Sequence, residues 1–542
     1  MASYWLTRFV FFRLLGLIYT VAFLIVVFQW PPLLGSEGLL PAASFLDAVG
    51  SAEGRGLGAF LRLPSVFWLA ASDAAFRVGG YVGLGLSLLV LFGLANVPIL
   101  FVLWILYMSF VHVGQIFYGY GWESLLLETG FLAIFLAPLW NPAPFPKRTP
   151  ASPVVIVLLR WLVFRLMLGA GLIKLRGDPC WRDLTCLVYH YETQPNPNPL
   201  SWYFHQAPVW FHRLEVLFNH LVELVAPFFV FGPRRARLVA GGSVVLFQAL
   251  LILSGNLSFL NWLTIAVAVA CFDDGLFARL LPTSLRARLD LHVAGAGETK
   301  ARRIAAYALA SVVAFLSLGP LTNMLSPGQV MNTSFEPFDL VNTYGAFGSV
   351  GRERYEIVLE GTGDDPADVA ARWVEYDFKC KPGSPDRAPC WISPYHYRLD
   401  WQMWFQDMPG AAVEPWFVHL VARLLQGDRA VRALLAAGPF DDRPPRAVRA
   451  RYYRYQFTRL GESTRAWWKR TLVAEYLPAL VRDDPRLVDY LRPEARYRRV
   501  PNVRTVLERY SWPGRRTVEG KRDWLGESGK CWVSRQNPYR CR

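Results

Sequence analysis

The chain has 542 residues, of which 53% are apolar and 15% aromatic, with 21 Trp; that length allows two or three domains. Its net charge of +15 raises the question of nucleic acid, but no basic stripe with interleaved stacking aromatics lies on an RNA- or DNA-binding pattern, which excludes that class. The average hides a division near Pro320: residues 1–320 hold 37 charged side chains, whereas the 222 residues after them hold 62. The first composition is that of a membrane bundle and the second that of an ordinary folded domain.

In chain order, apolar runs able to cross a ~30 Å hydrocarbon core lie at about 9–30, 79–95, 97–118, 122–140, 153–172, 214–231, 238–254, 257–272 and 303–320. The first has the length of a full span and no small-residue cleavage site after it, so it reads as a retained signal anchor. Residues 31–78 form a first outer loop. Within it, Phe60–Phe76 is broken by Arg62, Pro64 and Asp73 and reads as an interfacial or re-entrant helix.

Basic residues sit in the short loops Lys147–Arg148 and Arg234–Arg237, and six lie between Arg279 and Arg303. Nine spans with an inward N-terminus place all three stretches on the cytoplasmic side. The same count puts the Cys180–Cys186 loop and everything after Pro320 on the far side.

Beyond Pro320 the period changes. Gln329–Phe347, Arg354–Glu360, Trp373–Lys379, Pro394–Phe405 and Arg451–Phe457 read as strands, while Glu414–Gln426, Arg429–Ala437 and Arg465–Val481 read as helices. The predicted fold is a multi-pass α-helical membrane bundle of about nine spans (1–320). A β-rich α+β extramembrane domain (321–470) and a basic C-terminal tail (471–542) follow it.

Seven cysteines fall at 180, 186, 271, 380, 390, 531 and 541. Local disulfides Cys180–Cys186, Cys380–Cys390 and Cys531–Cys541 are the most economical of fifteen possible pairings, and an oxidising compartment suits them. They read as structural clips. No C-x-x-C pair and no finger-like Cys/His spacing is present, so neither redox chemistry, a metal nor a cofactor is expected.

Charge inside a bilayer is costly and turns to the bundle interior. Counting helix rise, His112, Glu128, Arg165 and Glu223 lie about 8–13 Å from the outer face. They form one polar layer, read either as a ligand or proton site or, preferably, as a self-satisfied structural network. Gly345–Gly351 lacks the GK[ST] of a phosphate loop and reads as a turn. No G-x-S-x-G elbow occurs, and His396 reads as a packed histidine among aromatics. Of two sequons, Asn332 follows the last span on the far side and is the candidate for glycosylation; Asn256 sits too close to the membrane.

The stretch Arg176-Gly177-Asp178, Cys180-Trp181-Arg182-Asp183-Leu184-Thr185-Cys186 and His190-Tyr191-Glu192-Thr193-Gln194-Pro195 resembles the signature region of the lipase maturation factor family. So do Ser254-Gly255-Asn256-Leu257-Ser258-Phe259-Leu260-Asn261-Trp262, Val341-Asn342-Thr343-Tyr344-Gly345 and Ile392-Ser393-Pro394-Tyr395-His396-Tyr397-Arg398. The similarity runs over roughly residues 4–470. The last seventy residues and the missing polar N-terminal extension depart from animal members.

The resemblance implies a multi-pass protein of the endoplasmic reticulum membrane with a lumenal C-terminal domain. In a bacterial host it implies the plasma membrane and a periplasmic domain. It implies a non-enzymatic role in folding and assembling secreted lipases such as lipoprotein lipase, its partners being those clients and the lipid bilayer. The competing expectation is a polytopic membrane enzyme acting on a lipid-like or carboxylate substrate through the His112, Glu128 and Arg165 layer.

Overall fold

The computed structural model describes residues 3–491, apart from 146–148, 284–296, 437, 441–442 and 464. The C-terminal tail beyond Leu491, with Cys531 and Cys541, lies outside the described residues. Helix Trp5–Leu34 opens the bundle and is buried along most of its circumference, as a helix with apolar residues on every face at the centre of a bundle must be. Its two prolines, Pro31 and Pro32, fall in the last turn, where the Gly35 amide donates to the Trp30 carbonyl at 3.1 Å.

Asp73–Phe92 packs along that helix and is capped by the Ser72 hydroxyl, which accepts from the Ala75 amide. The two approach closely because Gly16 and Gly83 lack side chains: a Cβ on either would strike the Val90–Leu91 backbone or the Phe23 ring. Small residues are the usual means of close helix packing in a bilayer, where no hydrophobic force drives association.

Helices Val97–Val113, Gly121–Leu136 and Pro153–Arg176 follow. Val209–His220 continues through a π-helical turn at Leu221–Val225 into Ala226–Phe229. Arg234–Ser254, Leu260–Ala268 and Lys300–Leu316 complete the bundle.

Among the described residues, five helices are long and apolar enough on their own to cross a membrane: Trp5–Leu34, Asp73–Phe92, Pro153–Arg176, Arg234–Ser254 and Lys300–Leu325. Val97–Val113 and Leu260–Cys271 are apolar but shorter. The Phe60–Phe76 stretch is not one helix but a short helix Leu57–Arg62, a 3-10 turn Val66–Trp68 and the start of Asp73–Phe92. Pro64 and the Ser72 cap account for the breaks.

The C-terminal part holds a four-stranded antiparallel sheet in the order β2-β1-β3-β4, with β1 Arg354–Thr362, β2 Val374–Tyr376, β3 Ala447–Phe457 and β4 Trp468–Val481. Ile357 faces Tyr452 across β1 and β3, and Tyr455 faces Arg470 across β3 and β4. Helix Pro415–Gln426 ends at Gly427 in the left-handed conformation, the common helix stop.

Three expected elements differ. Arg465–Val481 contains a strand, not a helix: register shifts opposite Val448–Tyr453 scramble its alternation, and Pro478 is tolerated because β4 lies at the sheet edge. This strand also runs past residue 470. Pro394–Phe405 contains helix Arg398–Gln406, buried on successive residues from Arg398 to Met403, so neither period shows in its sequence. Gln329–Phe347 makes only an isolated bridge, Ser334 to Asn342. Positive φ at Asn332, Asp339 and Phe347 prevents a continuous strand there.

Candidate functional site

The four residues of the expected polar layer do not meet at one point. Glu128 and Arg165 do, in a fully buried ion pair. Arg165 Nη1 also donates to the Asn342 carbonyl at 2.7 Å. The other Glu128 oxygen accepts from the Asn342 amide at 3.0 Å and the Tyr344 hydroxyl at 2.7 Å. A segment of the C-terminal part is thereby threaded between two bundle helices, and Gly169 makes room for it: a Cβ there would meet the Tyr344 carbonyl.

Glu223 belongs to a second cluster. Lys174 Nζ donates to Glu223 Oε1 at 2.6 Å and to Asn219 Oδ1 at 2.8 Å, and Asn219 Nδ2 donates to Glu223 Oε2 at 3.0 Å. The ammonium also lies 4.9 Å from the centre of the Trp181 ring, an attractive cation–π position. His112 is in a third place, with Nδ1 2.6 Å from the Pro64 carbonyl and Nε2 3.1 Å from Asp339.

Sequence reasoning missed Lys174, Asn219, Asn342 and Tyr344. It also missed the buried pair of Arg398 with Glu123, at 2.7 Å, where Arg398 Nη1 donates to the Phe117 carbonyl at 2.6 Å as well. The available signal was the i, i+4 spacing of Asn219 and Glu223 opposite a lysine at a helix end.

Further contacts fasten the C-terminal part to the bundle. Asn256 Oδ1 accepts from the Ile392 amide at 3.0 Å, and its Nδ2 donates to the Cys390 carbonyl at 2.9 Å. His396 Nδ1 lies 2.7 Å from Ser258 Oγ, with Gln29 Nε2 donating to the His396 carbonyl at 2.8 Å. Arg354, on β1, donates to the Glu192 carbonyl at 2.9 Å. Lys381 is buried against Glu356 and Asp407, and burial lowers its pKa.

Cys180 and Cys186 are bonded, with Cα atoms 4.8 Å apart, as are Cys380 and Cys390 at 5.3 Å. The first clip packs with Trp181, Val216 and Val350. Cys271 is a buried free thiol. Asp178 lies near the first pair, but those sulfurs are spent on each other and Arg352 holds the carboxylate. The Asn332 amide oxygen accepts from the Gly345 amide at 3.3 Å, and the residue is half-buried.

Between the Pro153–Arg176, Val209–His220 and Arg234–Ser254 helices and the C-terminal part lies a cavity of about 530 Å³. Its walls are mainly aromatic and aliphatic. Lys174, Glu223, Asn219, His190 and Asn261 supply polar points.

Together these features define a polytopic membrane protein whose C-terminal sheet domain is keyed into its helices. Residues 6–279 match the lipase maturation factor transmembrane domain and residues 340–478 the lipase maturation factor C-terminal domain. Lipase maturation factor 1 of Bos taurus is 48% identical over 508 residues, which is 89% of this chain and 90% of that protein. Lipase maturation factor 1 of Homo sapiens is 47% identical over 506 residues, 89% of each. Lipase maturation factor 2 of Homo sapiens is 33% identical over 618 residues, 91% of this chain and 85% of that protein. No solved structure matches. The chain belongs to the lipase maturation factor family.

Proposed function

We propose that the chain is a membrane-bound maturation factor, chaperone-like rather than catalytic, that assists the folding and assembly of secreted lipases. The observation that carries this reading is the identity of 47–48% to lipase maturation factor 1 across nine-tenths of the chain, through bundle and sheet domain alike. Exposed Trp391 and the Leu472–Val473 pair on the edge strand β4 give the C-terminal domain apolar points suited to a partly folded client.

The full topology belongs to the same proposal. The bundle makes nine crossings, the five long helices with Val97–Val113, Leu260–Cys271, Gly121–Leu136 and the 209–229 run, and residues 321–542 lie in the lumen of the endoplasmic reticulum or, in a bacterium, the periplasm. The reading of an enzyme working through His112, Glu128 and Arg165 finds no support in the geometry. The Glu128 carboxylate is already occupied by Arg165, Asn342 and Tyr344, and His112 is engaged elsewhere.

The test is complementation. In cells deprived of their own maturation factor, co-expression of this chain with a dimeric lipase should restore secreted, active dimer. Normal membrane expression of the chain with no gain in active lipase would overturn the proposal.

A further inference from the structure

The large cavity beside Lys174 plays no part in the maturation role as argued above. At about 530 Å³ it falls within the ~300–1,000 Å³ of small-molecule sites, which are mostly apolar with a few convergent polar groups. One buried polar atom in its wall lacks a partner. Asn261 is 1% exposed and its Oδ1 has no hydrogen bond, while its Nδ2 is held by Gln248 at 2.7 Å. The His190 ring is 6% exposed and makes only aromatic contacts, with Tyr191 and Phe347. An acceptor buried without a donor is costly, so Asn261 Oδ1 marks where a ligand's O–H or N–H belongs.

The charges describe what that ligand lacks. Lys174 is the cation in the wall, and Glu223 answers it at 2.6 Å. Glu215 accepts from the Tyr191 hydroxyl at 2.7 Å and faces His212 at 3.0 Å. Burial, with the Lys174 charge beside it, pushes the pKa of His190 down to about 4, so its ring is neutral. No surplus positive charge remains to hold a phosphate or carboxylate.

The surroundings indicate the direction of entry. On Val209–His220, Phe211, Glu215, Phe218 and Asn219 face the cavity, while Trp210, Leu214 and Leu217 are exposed on the adjoining face. On Arg234–Ser254, Phe247, Gln248 and Leu251 face inward and Leu246 and Leu253 are exposed. Leu250 does both: it lines the cavity and is 39% exposed. The cavity therefore reaches a rim made of exposed leucines on two helices.

We propose that this cavity is a binding site for an uncharged, hydroxyl-bearing lipid that enters from the bilayer past Leu250. The chain lies against Phe218 and Phe247, and the hydroxyl donates to Asn261 Oδ1. The site needs no client protein, so its test is independent of lipase maturation.

The full chain is reconstituted in phosphatidylcholine nanodiscs and titrated with a monoacylglycerol brominated on its chain, which quenches the Trp122, Trp181, Trp401 and Trp404 indoles lining the cavity. Quenching should saturate, above the level given by equally brominated phosphatidylcholine. It should be at least about tenfold tighter than that by the brominated fatty acid, which is charged, or by the dimethyl ether of the monoacylglycerol, which has no hydroxyl. Asn261→Leu should bring the hydroxyl lipid down to the ether's affinity, and Leu251→Trp should abolish the saturable component. The comparison of the three lipids uses the unmodified protein, so it decides even if a variant does not fold. No saturable component, or equal affinity for the three lipids, overturns the proposal.

Discussion

At Glu128 one carboxylate receives Arg165 from the next helix, and the Asn342 amide and Tyr344 hydroxyl from the C-terminal part. Removing either charge strands the other in low dielectric. Arg165→Gln or Glu128→Gln should each cost about 3–5 kcal/mol, and the double change less than the sum; unfolding in detergent measures all three, and strict additivity would mean that the pair is uncoupled. Both residues were visible in the sequence as costly charges at similar depth. Their separation from His112 and Glu223 was not, because helix rise fixes a residue's height and leaves its direction around the axis open. Glu336 offers a pH test. Burial first, and Asp339 second, raise its pKa from the ordinary 4.5 to about 7. The folded state therefore holds this proton more tightly than the unfolded chain. The stabilisation is full below about 4.5 and is lost as pH rises through about 7. Relative to Glu336→Gln, the wild type should gain stability between pH 7.5 and 5 by about 3 kcal/mol at most. Parallel unfolding temperatures across that range would refute the assignment.

Among the elements, the Pro153–Arg176 helix is shaped to receive another segment. Gly169 faces the Tyr344 carbonyl and Gly177 the Gly348 carbonyl, each too close for a Cβ. Gly169→Ala should destabilise by about 1–3 kcal/mol through overpacking. Gly242→Ala, on Arg234–Ser254 where nothing lies within 4 Å of the added carbon, should stabilise by roughly 0.5–1 kcal/mol. Thermal unfolding in one detergent compares them, and equal shifts would mean that the Tyr344 contact is not restrictive. Elements with a plain period were legible, as in β3 and Pro415–Gln426, and β1, buried on nearly every residue, was legible from its β-forming side chains. The misread ones share a cause. Helix Arg398–Gln406 is buried on successive residues, β4 is bulged against β3, and Gln329–Phe347 spends its polar groups on the bundle. Each pattern reflects contacts made far away in the chain.

Across the whole molecule, charge alone separated an apolar first part from a charged second part, although helix Leu318–Leu325 runs through Pro320. The depth to which the second part enters the first was not legible, since it rests on single residues such as Arg398, which reaches Glu123. Those contacts have a direction. Gln29 and Asn256 lie at or beyond the C-terminal ends of their helices, and Glu123 lies in the first turn of its own. All three touch the C-terminal part, so it sits at one end of the bundle. The opposite helix ends carry Arg8, donating to the Thr149 carbonyl, and Arg234 and Arg237, both paired with Asp273. Arg302, donating to the Ala137 carbonyl, lies at that end as well. A bundle with basic residues concentrated at one end orients that end to the cytoplasm, so the sheet domain should face away from it. In sealed vesicles with the cytoplasmic side outward, trypsin should cut between Arg279 and Arg303 and leave a protected fragment containing the whole sheet domain. Detergent should expose that fragment. Its digestion in intact vesicles would reverse the orientation and remove the proposed access of the domain to secreted clients.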